Sequence, residues 1–201
     1  MRRILLASSN PGKLAELQSL LGDLGVELVL PEHTGIRVAV EENGESYAEN
    51  AALKALAYAR QAGLVTIADD TGLEVETLGG LPGIRSKRFT QKPDSSDAER
   101  RAYLLELLRA FPRPWKARFC CTLALATPAG EVFFSEGECA GEIIPEERGE
   151  FGFGYDPIFY IPELGKTMAE LAMEEKNRIS HRARAVWQAR PRLTELISRE
   201  S

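Results

Sequence analysis

The feature that most constrains the fold is the alternation of apolar runs and a helical repeat at the start of the chain. Residues 3–7 form a short apolar run typical of a buried strand. Turn-forming residues occupy positions 8–12, and leucines then recur at helical spacing over residues 13–24. A second apolar run covers residues 26–30. We therefore predict a strand, a tight polar turn, a helix and a strand.

The remaining chain continues to mix strands and helices. We predict irregular structure over residues 31–45, and Ser46 with Glu49 fits a capping box that opens an alanine-rich helix. Residues 64–68 predict a strand that ends at Asp69-Asp70-Thr71-Gly72. The later predictions are a strand over residues 73–78, a helix from Ser96 to about Ala110, an antiparallel hairpin over residues 118–139, and a terminal helix from Ser180 that Pro191 kinks or divides. This pattern predicts an α/β fold with a mixed β-sheet and two lobes flanking a groove.

Composition narrows the classes of partner. The chain has 201 residues, which suits a single domain without a linker, and its 25 Lys and Arg are outnumbered by 30 Asp and Glu. This net charge of −5 disfavours nucleic acid as a partner but allows a small phosphorylated substrate held by local cations and a metal. We see no signal peptide and no apolar stretch that could cross a membrane, so we expect a cytoplasmic protein with no membrane partner.

The three cysteines, Cys120, Cys121 and Cys139, show no metal-binding spacing. We interpret them as small buried side chains in a reducing compartment. Because the chemistry proposed below needs no covalent nucleophile, alkylation of these thiols is expected to spare activity.

The first polar cluster is Ser8-Ser9-Asn10-Pro11-Gly12-Lys13, which lies where a strand ends and a helix begins. Unpaired backbone N–H groups and the helix dipole there would favour phosphate oxygens, with Lys13 adding a charge. The spacing is not that of a Walker loop. An ordinary helix cap is the alternative interpretation of this cluster taken alone.

The second cluster is Asp69-Asp70-Thr71-Gly72. Paired carboxylates after an apolar strand suit Mg²⁺, and one of them could orient or deprotonate a water molecule. An Asp-rich turn is an equally good interpretation of the residues alone. The acidic run around Glu42 precedes a helix that carries Lys54. Without a cation shared with Asp70, both features would be ordinary solvent-facing residues.

The third region combines a glycine- and aromatic-rich segment over residues 151–157 with Lys176 and Ser180-His181-Arg182. Glycines let the backbone approach a flat ligand, an aromatic ring offers a stacking face, and Asp156 could accept from purine ring N–H groups. Cations in the first turn of a helix oppose its dipole. This placement of His181 and Arg182 indicates a reason other than helix stability, such as a bound anion or keto oxygen.

Five segments together resemble the non-canonical purine NTP pyrophosphatase family, the inosine and xanthosine triphosphate pyrophosphatases also called the Ham1-like family. They are, in order, SSNPGKLAEL, EENGESYAENAALKA, ADDTGLEVETLGGLPGIRSKRF, RGEFGFGYDPIF and EEKNRISHRA. The resemblance covers nearly the whole chain. It implies a single domain over residues 1–201 with an elongated mixed β-sheet, flanking helices and two lobes around a central substrate groove, assembled as a homodimer.

The resemblance also implies the reaction, which is Mg²⁺-dependent hydrolysis of ITP, dITP, XTP and dXTP to the monophosphate and pyrophosphate. It makes Asp70 the catalytic base, and Glu42 and Asp70 the metal ligands. The substrate-binding residues that it implies are Ser8, Ser9, Asn10, Pro11, Gly12, Lys13, Lys54, Thr71, Phe153, Gly154, Tyr155, Asp156, Lys176, His181 and Arg182.

Three alternatives remain open at this point. A Maf-type pyrophosphatase would prefer pyrimidine triphosphates, whereas the FGFGYD and SHR segments here favour purines. A non-catalytic nucleotide-binding module would not need Glu42 with Asp70. A nucleic-acid-binding protein is disfavoured by the acidic balance of charge.

Overall fold

The computed structural model describes residues 2–36, 38, 40, 41, 43–90, 92 and 94–199, and these residues form an α/β fold. The strands are Arg2–Leu6 (β1), Val26–Val29 (β2), Thr66–Val75 (β3), Pro82–Gly83 (β4), Trp115–Ala126 (β5), Val132–Ile143 (β6), Phe159–Ile161 (β7) and Lys166–Thr167 (β8). The α-helices are Pro11–Leu21 (α1), Pro31–Thr34 (α2), Tyr47–Ala62 (α3), Asp97–Leu108 (α4), Met173–Ile179 (α5) and His181–Arg199 (α6). None of these helices is both long and apolar enough to span a membrane.

The strands form one mixed sheet in the order β2-β1-β3-β5-β6-β7-β8, with β4 paired to β3. β1 is parallel to both β2 and β3, whereas β7 is antiparallel to β6 and β8. A short turn joins β5 to β6, and Thr127 N–H donates to Glu131 O across it at 2.9 Å. The mixed sheet with flanking helices and the late hairpin are therefore confirmed.

Two compact units divide the chain. The first contains the described residues up to Asp70, those of Cys121–Gly137 and those from His181 onward, and the second contains Thr71–Cys120 and Glu138–Ser180. The first unit buries leucine and alanine side chains of β1, α1, α3 and α6. The second has its own core, in which aromatic and aliphatic side chains of β5 and β7 pack with α4. The predicted substrate groove stays a prediction.

Helix ends follow their capping residues. Ser46 Oγ accepts from Glu49 N–H, and Gly63 ends α3 in the left-handed conformation at φ 63°. The capping box at this helix is wrong in one respect, because Glu49 accepts from the N–H of Glu45. Both halves of the box are present at α4, between Ser96 and Glu99.

Three predictions about secondary structure are wrong. β3 continues through Asp69-Asp70-Thr71-Gly72 and ends at Val75, because the two carboxylates meet cations and need no turn to reach water. α2 interrupts the segment expected to be irregular. Pro191 does not divide the last helix, since α6 runs from His181 to Arg199 and buries residues on both sides of the proline.

Candidate active site

The connection between β1 and α1 is held by its own side chains. Asn10 Oδ1 accepts from the N–H groups of Gly12 at 2.8 Å and Lys13 at 3.3 Å, and Ser8 Oγ accepts from Asn10 N–H at 3.2 Å. Pro11 is the first helical residue, where no N–H is needed. The predicted helix N-terminus is present. However, the expectation of unpaired donors is wrong for Gly12 and Lys13, because Asn10 caps them.

Asp69 is the centre of a buried ion-pair cluster in the first unit. Its Oδ2 atom lies 3.0 Å from Lys13 Nζ and accepts from Nε and Nη2 of Arg182, each at 3.1 Å. The main-chain oxygen of Asp69 accepts from Lys54 Nζ at 2.9 Å. The residue is only 1% exposed, so these cations replace water around its charge.

Asp70 has a separate set of partners. Its Oδ2 atom accepts from Asn50 Nδ2 at 3.1 Å, and its Oδ1 atom lies 3.7 Å from Lys54 Nζ. Asn50 and Lys54 are four residues apart on α3 and therefore lie on one helix face. The sequence prediction missed Asn50, although its spacing from Lys54 was a usable signal. Thr71 follows half-buried in β3.

Arg182 connects α6 to α1. The side chain is 1% exposed, and its Nη1 atom donates to Glu16 Oε2 in addition to the two contacts with Asp69. These two carboxylates explain why a cation stands in the first turn of α6. Glu16 was missed because nothing in the local sequence distinguishes it from a solvent-facing glutamate. His181 begins α6 and is buried, and Ser9 is exposed. The predicted substrate contacts of these residues stay predictions.

The cluster shifts the protonation of its members. Burial raises the pKa of Asp69, but the charges of Lys13, Arg182 and Lys54 outweigh burial and hold that pKa well below its usual range. Burial lowers the pKa of Lys13, and the neighbouring Arg182 and Lys54 act in the same direction. Asp69 is therefore ionised at neutral pH, and Lys13 loses its proton more readily than a lysine in water.

In the second unit, Asp156 organises the glycine- and aromatic-rich segment. Its Oδ2 atom accepts from Phe153 N–H at 3.0 Å and from Lys176 Nζ at 2.7 Å. Lys176 Nζ also lies 5.2 Å from the centroid of the Phe153 ring. Gly152 has φ 76°, and a Cβ there would lie 2.1 Å from Asp156 Oδ2. A glycine is thus required for this carboxylate to reach its partners.

The next two residues of the segment are held by other elements. The Tyr155 hydroxyl donates to Ser86 O at 2.9 Å, and burial raises the pKa of this phenol. Gly154 N–H donates to Asp97 Oδ2, and Arg101 Nη1 donates to Gly154 O, both at 2.8 Å. The structure thus brings Phe153, Tyr155, Asp156 and Lys176 together as predicted. The sequence prediction missed Asp97 and Arg101, whose partners lie more than fifty residues away.

The donor chemistry of the first unit suits a hard divalent cation. Asp70 offers carboxylate oxygens, and the buried Oδ1 atom of Asp69 has no hydrogen-bond partner among the described residues. Within the same part of the chain, no group of three or more His, Cys, Asp and Glu side chains could enclose a metal. The other predicted ligand, Glu42, lies outside the described residues.

The thiols are unreactive by position. Cys121 and Cys139 are buried, and burial raises the pKa of the half-buried Cys120 to about 12. All three are free, in agreement with their interpretation as small apolar side chains. Their dispensability for activity stays a prediction.

The fold and the cluster define a class of protein. A strand-to-helix connection that carries a lysine, next to paired carboxylates in the neighbouring parallel strand, is typical of an α/β protein that handles phosphorylated ligands. The sequence model of the Ham1 family matches residues 4–192. The chain therefore belongs to the Ham1 family, and the resemblance noted in the sequence is confirmed.

Individual relatives agree with this assignment. The chain is 47% identical to the dITP/XTP pyrophosphatase of Desulforamulus reducens over 93% of each chain. It is 46% identical to the dITP/XTP pyrophosphatase of Thermus thermophilus over 92% of this chain and 88% of the relative. The solved structure of a HAM1 protein from Coxiella burnetii is 42% identical, with a TM-score of 0.86 over 97% of this chain and 100% of that one. These likenesses confirm the α/β fold class.

Proposed function

We propose that this chain is a nucleoside-triphosphate pyrophosphatase. It hydrolyses the non-canonical purine nucleotides ITP, dITP, XTP and dXTP to the monophosphate and pyrophosphate, and so prevents their misincorporation into DNA and RNA. The observation that carries the proposal is the buried cluster in which Lys13 and Lys54 meet Asp69 and Asp70. The names of the relatives, which are dITP/XTP pyrophosphatases, support it.

In the proposed reaction, a water molecule attacks the α-phosphorus while the bond from that phosphorus to the bridging oxygen breaks. Asp70 accepts the water's proton, and pyrophosphate leaves with the bridging oxygen. Lys13 offsets the charge that develops on the leaving group, because positioning and electrostatics dominate phosphoryl transfer. We propose Mg²⁺ as the cofactor, held by Glu42 and Asp70, where it would neutralise phosphate charge.

We propose that the segment from Phe153 to Asp156 receives the purine, with Lys176, His181 and Arg182 as further contacts. A donor aimed at the 6-keto oxygen would reject the 6-amino group of ATP, since two donors would then face each other. The N–H groups of Phe153 and Gly154 already donate to Asp156 and Asp97. They are therefore poor candidates for that donor, and other groups must supply the discrimination.

The assembly and location are further expectations. We propose a homodimer, to be tested by sedimentation velocity, and a cytoplasmic location, to be tested by cell fractionation. Neither nucleic acid nor a membrane is a proposed partner. The protonation argument above does not depend on these expectations, because all of its charged groups belong to one chain.

The test is product analysis after incubation with ITP, ATP or dTTP, with Mg²⁺ or with EDTA. We expect IMP and pyrophosphate from ITP, formed only with the metal and far faster than the products from ATP or dTTP. A preference for dTTP would favour the Maf-like alternative. A folded protein that turns over none of the three would contradict the proposal and favour a binding module.

A further inference from the structure

The peptide of Gly154 is held from both sides by one helix. Its N–H donates to Asp97 Oδ2 at 2.8 Å, and its carbonyl accepts from Arg101 Nη1 at 2.8 Å. Asp97 and Arg101 are the first and fifth residues of α4, so both lie on the same helix face. Two charged side chains therefore satisfy both main-chain polar groups of one residue. We refer to this pair as the α4 clamp.

Arg101 is itself fixed in place. Its Nε and Nη2 atoms donate to the two carboxylate oxygens of Glu147, each at 2.8 Å, and the Arg101 side chain is only 12% exposed. The hydrogen bonds from Arg101 lower the pKa of Glu147 and keep it ionised. One edge of the guanidinium binds Glu147 while the remaining nitrogen reaches Gly154. A lysine ammonium lacks the planar fork that makes both contacts at once.

The clamped peptide borders open space. Gly154 has φ 62°, and a Cβ placed there would meet no atom of the described residues within 4 Å. On one side stands the Phe153 ring, and on the other Asp156, which is paired with Lys176. A clamp that does not serve to fill the core, next to a ring and a buried ion pair, is suited to fixing a surface against which a ligand binds.

We propose that Asp97 and Arg101 are positioning residues that fix the Phe153–Asp156 segment for recognition of the purine ring. This inference rests on the function proposed above. A segment that is already ordered binds its ligand without the cost of ordering. Loss of the clamp therefore weakens base recognition: KM for ITP rises, kcat changes little, and the preference for ITP over ATP falls because the looser segment discriminates less.

The test compares Arg101→Ala and Asp97→Ala with three further variants. Asp97→Asn retains an acceptor for Gly154 N–H, Arg101→Lys retains the charge without the fork, and Arg109→Ala removes an exposed arginine from the end of α4. For each, kcat and KM are measured with ITP and ATP, and the melting temperature reports folding. We expect about a tenfold rise in KM for ITP in both alanine variants, as for a loss of about 1.4 kcal/mol.

We also expect the ratio of kcat/KM for ITP over ATP to fall in the alanine variants, to recover largely in Asp97→Asn, and to match wild type in Arg109→Ala. An unchanged ratio in the alanine variants, whether both activities fall equally or neither falls, overturns the role of the clamp. Wild-type protein that fails to hydrolyse ITP sinks the proposed function and the clamp's role with it. The two failures are thus distinguished by the wild type.

Discussion

Asp69 and Asp70 are adjacent in β3 but have different surroundings. Asp69 is 1% exposed and binds Lys13 and Arg182, whereas Asp70 is 8% exposed and binds Asn50. Side chains of successive strand residues point to opposite faces, which gives the two carboxylates separate partners. Asp69 is therefore expected to be chiefly a structural anion, and Asp70 the carboxylate available for chemistry.

The first prediction separates these roles by Asp69→Asn and Asp70→Asn. Asp69→Asn leaves buried cations without their carboxylate, so we expect a loss of about 3 kcal/mol in the free energy of unfolding at pH 7. Asp70→Asn should lose far less stability but most of its ITP hydrolysis. Denaturant unfolding and kcat measure the two effects. Equal stability of the two variants would contradict the assignment.

The lowered pKa of Asp69 also fixes the direction of a pH effect. Because folding lowers this pKa, the carboxylate's contribution to stability is fully present above its unfolded value, about 3.9, and is lost as the pH falls through the folded value. Asp69→Asn should therefore lose less stability with acid than wild type over that range. Unfolding curves at pH 2 to 6 for both proteins provide the measurement.

The second residue-scale prediction concerns Lys13. Burial and the neighbouring cations lower its pKa, so its charge is lost on the alkaline side before the usual lysine value of about 10.4. If this charge assists the leaving group, kcat/KM for ITP falls along a basic limb below that pH. Lys13→Arg keeps the charge and should move the limb upward. A limb at the same pH in both proteins would assign it to another group.

At the scale of elements, the sequence predicts helices and caps well because these depend on neighbouring residues. Ser46, Gly63 and Ser96 bound their helices as expected. The course of β3 through Asp69 was not predictable in this way, because its partners Lys13 and Arg182 lie 56 and 113 residues away. The same distance hid Glu16 and the α4 clamp. Glu42, Asp70 and the base segment were found through resemblance, not through local pattern.

A prediction at this scale concerns Pro191 inside α6. The residue is exposed, so its replacement removes little packing, and alanine restores a helical N–H. We expect Pro191→Ala to stabilise the protein by about 1–2 kcal/mol, since proline costs about 3 kcal/mol in a helix and regains about 1 through the unfolded chain. Pro128→Ala, in the turn between β5 and β6, is the control and should bring no gain. Thermal unfolding compares them, and equal effects would count against the explanation.

A fourth prediction compares two glycines in left-handed backbone. Gly165→Ala, at φ 65° with nothing among the described residues within 4 Å of a new Cβ, should cost about 1–2 kcal/mol for strain alone. Gly152→Ala, at φ 76°, also drives a Cβ into the Asp156 carboxylate that binds Lys176. We expect a clearly larger loss of stability there. Similar losses in the two variants would mean that Asp156 moves away without cost.

At the scale of the whole molecule, each compact unit contains one of the two predicted groups of site residues. Lys13, Lys54 and Asp70 belong to the first unit, and Phe153 and Asp156 to the second. The match to the Ham1 family spans both units, from residue 4 to residue 192. We therefore expect one substrate to require both, with its phosphates bound by the first group and its base by the second.

The central claim is that water attacks the α-phosphorus, and hydrolysis of ITP in ¹⁸O-labelled water tests it most directly. The products are separated, and the label in IMP and in pyrophosphate is measured by mass spectrometry. We predict that the label enters IMP and is absent from pyrophosphate, because the bridging oxygen leaves with the β-phosphate. Label in pyrophosphate would place the attack on the β-phosphorus, and label in orthophosphate would indicate a different phosphatase; either result would contradict the account.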